Sequence, residues 1–294
     1  VPAGTALPDI PTARTPWPIE AATIRRPRPP AFSRRPTVAP RRTSTVQLRT
    51  LGGFGVLRDG QPVEPREWPS RKAADLLKIL VTRRGQPTPR EMLGELLWPG
   101  IARNRSANRL SVALSTIRAV LDPDRRNPSD QFLGTGQLIV TMKNVTVDVE
   151  TFLVESDLAL SGYERGTPFA LGSIEAAVDS YHGDFLAGDA RLEWAVPLRE
   201  EAKLSYLRLV RTLAVAAGRA GQHDRAIYFW AVSLDHDAYD EQAHLGLVTA
   251  LRAAGRPGEA IRRYGVYARR MNEIGITPTP PKESDRGIPG VEVP

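Results

Sequence analysis

The side chains best suited to reading a base sequence lie between Arg105 and Ala119. With Leu110 at the centre of one helix face and about 100° per residue, Ala107, Ala113, Leu114, Ile117, Val120 and Leu121 fall within about 80° and make an apolar stripe. The opposite side carries Arg105, Asn108, Arg109, Val112, Ser115, Thr116 and Ala119, with Arg118 at the flank. Arg forks onto guanine, Asn pairs with adenine, and Val or Ala touches a thymine methyl. Long donors near the start with small residues further along suit a helix laid in a major groove. The same pattern also fits an ordinary solvated helix face.

A reading helix needs phosphate anchors around it, because contacts to the backbone set register without reading sequence. Between Arg71 and Arg126 there are twelve basic residues against five acids. Arg71 and Lys72 open one candidate helix, Arg83 and Arg84 close it, and Arg90 and Arg103 flank the next. The Arg83-Arg84 pair equally fits solvated charge at a helix C-terminus, where cations are favoured anyway.

The elements that would position this face follow from periodicity. Val46, Leu48 and Thr50 alternate, Phe54, Val56 and Leu57 follow, and Asp59-Gly60 ahead of Val63 is a strong hairpin signal. A small antiparallel sheet is expected. Ser70 caps a helix with Ala73, Leu76, Leu77, Leu80 and Val81 inward, stopping near Gly85. A second helix starts at Thr88 or Pro89, turns Met92, Leu93, Leu96 and Leu97 inward, and ends at Trp98-Pro99-Gly100. The third is expected from about Ser106 to Leu121, before Asp122-Pro123. Phe132-Leu133, a Gly134-Thr135-Gly136 break and Leu138 to Met142 predict a hairpin. Three helices between a sheet and a hairpin describe a winged helix-turn-helix, an α+β domain.

Beyond Thr151 the pattern is helical almost throughout. An offset of 34 residues aligns Leu213 with Leu247, Ala216 with Ala250, Ala220-Gly221 with Ala254-Gly255, and Ala226-Ile227 with Ala260-Ile261. That is the period of tetratricopeptide helix pairs. Together with an Ala-(Ile/Val)-x-x-aromatic phrase at Ala177, Ala226 and Ala260, it predicts about three stacked helical hairpins. Trp194, Trp230, Tyr228 and Tyr264 are expected as bulky fill between them, or as the lining of a binding groove.

The chain has 294 residues with 41% apolar content, enough for two domains. The expected division is a basic linker over 1–43, a winged helix over 44–147, an all-α helical domain over 148–280 and a tail over 281–294, with the end from Thr277 already tail-like. Residues 1–43 hold ten prolines and eight arginines and cluster too little apolar surface to offset the entropy of folding. The net charge of +7 divides as +6 over 1–43, +5 over 44–150 and −4 over 151–294, so the first half is suited to a polyanion and the second to another task.

No cysteine is present, which excludes disulfides and thiolate metal sites and fits a reducing compartment. No apolar run reaches the length of a membrane span, so no membrane contact and a cytoplasmic location are expected. The histidines at 182, 223, 236 and 244 are expected to be surface or packing residues. His236 and His244 would share a face only on one unbroken helix, and Asp237 to Asp240 predicts a turn between them. A phosphate-cradling Gly-Lys-Ser/Thr loop and a nucleophile elbow are both missing. Neither catalysis, a metal nor a cofactor is expected.

In this setting several motifs acquire a family resemblance. Leu51-Gly52, Asp59 to Val63, Ser70-Arg71-Lys72-Ala73, Glu95 to Pro99, and Asn108-Arg109-Leu110 with Val112 to Leu114 resemble the DNA-binding domain of the SARP family of actinobacterial transcriptional activators. Tyr181 to Leu186, Glu193-Trp194, Ala254-Gly255-Arg256, Glu259-Ala260, Tyr264 and Gly275-Ile276 resemble its bacterial transcriptional activation domain. The resemblance spans roughly residues 46 to 280. It implies an OmpR-type winged helix that binds direct repeats in double-stranded DNA near a promoter cooperatively, with homo-oligomer formation on the DNA left open. It also implies activation through RNA polymerase and its sigma factor. The base-reading role then falls to Arg105, Asn108, Arg109, Val112, Ser115 and Thr116, and the phosphate role to Arg71, Lys72, Arg90, Arg103 and Arg118. The loop from Trp98 to Asn104, with Trp98, Gly100, Ile101 and Arg103, matches the segment such folds use to touch polymerase.

One departure stands out: the wing turn is Gly136-Gln137-Leu138 where the family usually has Gly-Tyr-Arg. That leaves Thr135 or Gln137 for a phosphate. It also opens an alternative, a repeat-based interaction scaffold whose winged helix no longer reads DNA. Arg25 to Arg28 and Arg34-Arg35 are placed to supplement a weakened wing. Deleting residues 1–43 should therefore lower DNA affinity and flatten its salt dependence in mobility-shift titrations; unchanged values would remove the tail from the interface.

Overall fold

A computed structural model describes residues 45–189 and 191–280. The expectations for the 1–43 linker and the 281–294 tail lie outside the described residues.

Strands β1 (Val46–Arg49), β2 (Gly55–Arg58) and β3 (Gln61–Pro62) form the expected antiparallel meander. Asp59 and Gly60 both take positive φ, 48° and 79°, as the two-residue turn demands. Helices α1 (Arg71–Thr82), α2 (Arg90–Leu97) and α3 (Arg103–Leu121) follow. Ser70 caps α1 by accepting from the Ala73 amide at 3.3 Å. The wing sheet has the order β4-β6-β5, from β4 (Thr88–Pro89), β5 (Leu133–Thr135) and β6 (Ile139–Met142). A strand not foreseen in the sequence, β7 (Val145–Val147), returns to pair parallel with β1 and closes the first sheet as β3-β2-β1-β7.

Four details differ from expectation. Helix α3 begins at Arg103 rather than Ser106, because the Ser106 hydroxyl donates back to the Arg103 carbonyl at 3.0 Å instead of capping. Ser106 is buried and Ala107 exposed. Helix α2 buries Leu93, Gly94 and Leu97, leaves Met92 half-buried and turns Leu96 away. Both shifts follow from the crossing of the two helices at Gly94, where a Cβ would meet the Ser106 Oγ at 3.1 Å. The break expected over Gly134 to Gly136 is narrower, and the turn itself falls at the expected Gly136-Gln137-Leu138. Gly134 and Thr135 belong to β5, and the Gly136 amide closes the turn on the Ile139 carbonyl at 2.9 Å.

The helical half is three hairpins: α4 (Asp148–Glu164) with α5 (Ala170–Ser180), α6 (Val196–Arg219) with α7 (His223–His236), and α8 (Glu241–Ala253) with α9 (Pro257–Glu273). Trp230 is buried where α7 meets α8, and a Cβ on Gly246 would lie 2.4 Å from its ring. Trp194 and Tyr264 are half-buried as fill, whereas Tyr228 is exposed. Asp240 caps α8 through the Ala243 amide, and is buried against Arg211 and the Ser233 hydroxyl, tying α6, α7 and α8 together. The chain past α9 does not leave at Thr277. Thr279 donates from its amide to the Tyr267 hydroxyl at 2.7 Å, and its carbonyl accepts from Tyr264 at 3.0 Å.

The two halves share one continuous hydrophobic core, to which Leu51, Leu77 and Val149 contribute along with Phe185, Leu186 and Ala195. At the junction Asp148 accepts from the Thr50 amide and hydroxyl, the Leu51 amide at 3.1 Å and the Val149 amide at 2.8 Å. Thr50 in turn accepts from the Leu186 amide at 2.8 Å, and the Gly52 amide donates to the carbonyls of Gly183 and Asp184. Gly52 holds φ +80° with its α-carbon so close that a Cβ would sit 2.4 Å from the His182 carbonyl oxygen. Lys78–Asp189 and Arg84–Glu201 ion pairs cross the same seam.

Asp148→Ala strips the Thr50 and Leu51 amides of their acceptor, so we expect a loss of about 3 kcal/mol in urea unfolding; a change within error would show the seam to be incidental. Nearby Glu150 has its pKa raised, chiefly by desolvation and partly offset by Arg84, and its Oε1 is buried with no partner among the described residues. A carboxyl whose folded pKa is raised costs stability above that pKa and regains it as pH falls toward the unfolded value. Glu150→Gln should therefore raise the unfolding midpoint at pH 7, with an advantage that shrinks on acidification to pH ~4.

Candidate nucleic-acid interface

Helix α3 packs on α1 and α2 through Leu110, Ala113, Leu114, Ile117, Val120 and Leu121, all buried. This leaves the other face free of the helical hairpins. Arg105, Asn108, Arg109, Val112 and Ser115 are exposed, Val112 at 67%, and Thr116 is half-buried with its hydroxyl donating to the Val112 carbonyl. Asn104 Oδ1 accepts from the Arg105 amide at the first turn. The structure thus brings five of the six predicted base-reading residues onto one open surface, with Thr116 at its margin.

The predicted phosphate residues divide into two groups. Arg71 and Lys72 are exposed at the start of α1, where the helix dipole adds to their positive field. The other three are already engaged. Arg90 donates through Nη2 to the Ser111 hydroxyl at 2.9 Å, and Arg103 pairs with Glu91. Arg118 donates through Nε to the Ser129 carbonyl at 2.9 Å and through Nη2 to the Thr135 hydroxyl at 2.6 Å and the Leu133 carbonyl at 3.3 Å. Its guanidinium is therefore a strut between the reading helix and the wing, a role the sequence did not signal.

The wing is braced from its other side too, where the Arg90 amide donates to the Leu138 carbonyl at 2.8 Å. Its tip presents Gln137 exposed and Leu138 78% exposed, while the Thr135 hydroxyl oxygen accepts from Arg118. In the loop before α3, the Trp98 ring packs half-buried against the core, Gly100 takes φ +75°, and Ile101 is exposed.

Three of the four histidines have structural partners. His236 stands edge-on to Tyr206 at 4.8 Å, His244 is buried with Nε2 3.0 Å from the Ala238 carbonyl, and His182 Nδ1 lies 2.7 Å from the Ser180 carbonyl. Asp237 to Asp240 is the expected turn, since α7 ends at His236 and α8 starts at Glu241. Tyr206 also stacks on Tyr181 at 4.3 Å. Burial and a hydrogen bond to Asp184 push the Tyr181 phenol far above its usual range. Among the described residues no cluster of three or more His, Asp or Glu is placed to hold a metal ion, and no helix is long and apolar enough to cross a membrane.

Residues 147–283 match the bacterial transcriptional activator domain family. The structure is similar to that of Mycobacterium tuberculosis EmbR, solved in complex with a low-affinity phosphopeptide, with a TM-score of 0.67 and 20% sequence identity. The similarity covers 81% of this chain and 63% of the EmbR chain, so this chain spans less than two thirds of that protein. Among curated proteins, none matches the chain. The family match takes in slightly less than half of the chain, and the likeness to EmbR is one of fold.

Proposed function

We propose that this chain is a SARP-type transcriptional regulator, an activator that reads promoter DNA with α3. The observation that carries the proposal is the uncovered polar face of α3, whose exposed Arg105, Asn108, Arg109, Val112 and Ser115 match the chemistry of base edges. Arg71 and Lys72 would hold the phosphate backbone, and Arg90, Arg103 and Arg118 would contribute charge while bracing the wing and α3. At the wing, Gln137 and Thr135 would touch DNA, Thr135 through its own O–H since its oxygen accepts from Arg118. Contact with polymerase and its sigma factor is assigned to Pro99, Gly100 and Ile101, since the Trp98 ring faces the core. Direct-repeat binding would place successive copies side by side on DNA.

The second reading, a scaffold whose winged helix binds protein, draws on the exposed apolar side chains of Leu138 at the wing tip and Val112 on α3. Salt separates the two. Neutralising about six to ten phosphates makes affinity fall on the order of 10³ to 10⁵ between about 50 and 200 mM salt, whereas a protein contact of this apolar kind responds weakly.

Asn108→Ala should relax discrimination at one or two base pairs, by roughly 1 to 3 kcal/mol, with nonspecific affinity intact. Equal loss on every duplex, measured by mobility shift against an operator defined by footprinting, would mean that α3 does not face the bases.

A further inference from the structure

Between the C-terminal half of α3 and the loop that leads to the wing lies a cavity of about 380 Å³, lined by Ser115, Arg118, Ala119, Pro123, Arg125 and Phe132 among others. That volume falls within the range of small-molecule sites. Its floor is the buried Phe132 ring, and Ala119, Pro123 and Pro128 give it apolar walls. Asp122 also lines it, but this carboxylate is spent locally, accepting from the Arg126 amide at 3.0 Å and the Asn127 amide at 2.8 Å.

The two cations still have donors to give. The Arg125 guanidinium has no hydrogen bond or ion pair among the described residues, and Arg118 bonds through Nε and Nη2 while leaving Nη1 without a partner among them. Arg125 is held at φ +50°, a left-handed conformation costly for a residue with a Cβ. The amide of this residue donates to the Asp122 carbonyl at 3.2 Å, which fixes the loop bend that brings Arg125 to the cavity.

We infer that this cavity is a binding site for a small organic carboxylate, its apolar body against Phe132, Pro123 and Pro128 and its oxyanion between Arg118 and Arg125. The Arg125 fork matches a carboxylate bidentately, Arg118 adds a single donor from Nη1, and a partly apolar chamber strengthens the pairing relative to open water. The site neighbours the reading face through Ser115 and Ala119 and reaches the wing through the Arg118–Thr135 bond, so an occupant bears on wing position. The inference is independent of the proposed DNA role, because binding is measured on the free chain.

The test is an amide-resolved NMR titration of the full chain with benzoate, with inorganic phosphate as the bare-oxyanion control. Benzoate should shift the Ala119, Ser129 and Phe132 amides saturably, with Thr135 moving alongside. Arg125→Ala, at an exposed position with no side-chain partner, should weaken this at least tenfold while leaving the remaining spectrum in place. The inference is overturned by unsaturable shifts, by equal binding to Arg125→Ala, or by phosphate binding as tightly as benzoate. It also fails if a short duplex shifts these amides and benzoate does not, since the cavity would then house a DNA phosphate.

Discussion

The carboxylate of Asp148 joins two cores into one. It is the first residue of α4, yet most of its acceptor capacity goes to the end of β1, nearly a hundred residues earlier, where Thr50 and Leu51 would otherwise present unpaired donors. Such a residue is costly to misplace, because partly buried amides without an acceptor lose the full worth of their solvation. Around it the Thr50–Gly52 segment borrows backbone partners from Gly183, Asp184 and Leu186, and Gly52 leaves no room for a side chain. The helical hairpins are thereby fastened to the β1 and α1 side of the winged helix.

That attachment decides what remains open. With α1 and the first sheet committed to the seam, the surface formed by α3, the start of α1 and the wing points away from the hairpins. Nothing among the described residues of the helical domain covers the polar side of α3. The surface is also stiff. Gly94 seats α3 on α2, Arg90 ties α2 to the wing and to Ser111, and Arg118 ties α3 to β5. Arginines that a charge count assigns to phosphate thus serve partly as internal braces, which suits a reading surface whose side chains must keep a fixed spacing to discriminate bases.

Much of this was legible in the sequence. The Asp59-Gly60 turn, the Ser70 cap and the face of α3 rest on local chemistry, and the 34-residue offset marks hairpins that repeat because each buries its neighbour. What escaped depends on contacts distant along the chain. Strand β7 is three residues long, flanked only by Asn144 at φ 49°, and exists because β1 offers an edge. The inward turn of Ser106, with Met92 half-buried and Leu96 outward, follows from a crossing point at Gly94 that no periodicity encodes. The seam at Asp148, the strut at Arg118 and the pinning of Thr279 by Tyr264 and Tyr267 join residues separated by 11 to 98 positions. Candidate site residues were legible as a face, but their division into free and engaged cations was not.

A photo-crosslinking residue placed at position 112 tests the central claim most directly, since Val112 stands in the middle of the exposed face of α3. Illumination in the presence of promoter DNA and RNA polymerase should join the chain to bases within the footprint, competed by unlabelled operator. Crosslinks to a protein subunit or to a second copy of the chain, with the DNA untouched, would contradict the account.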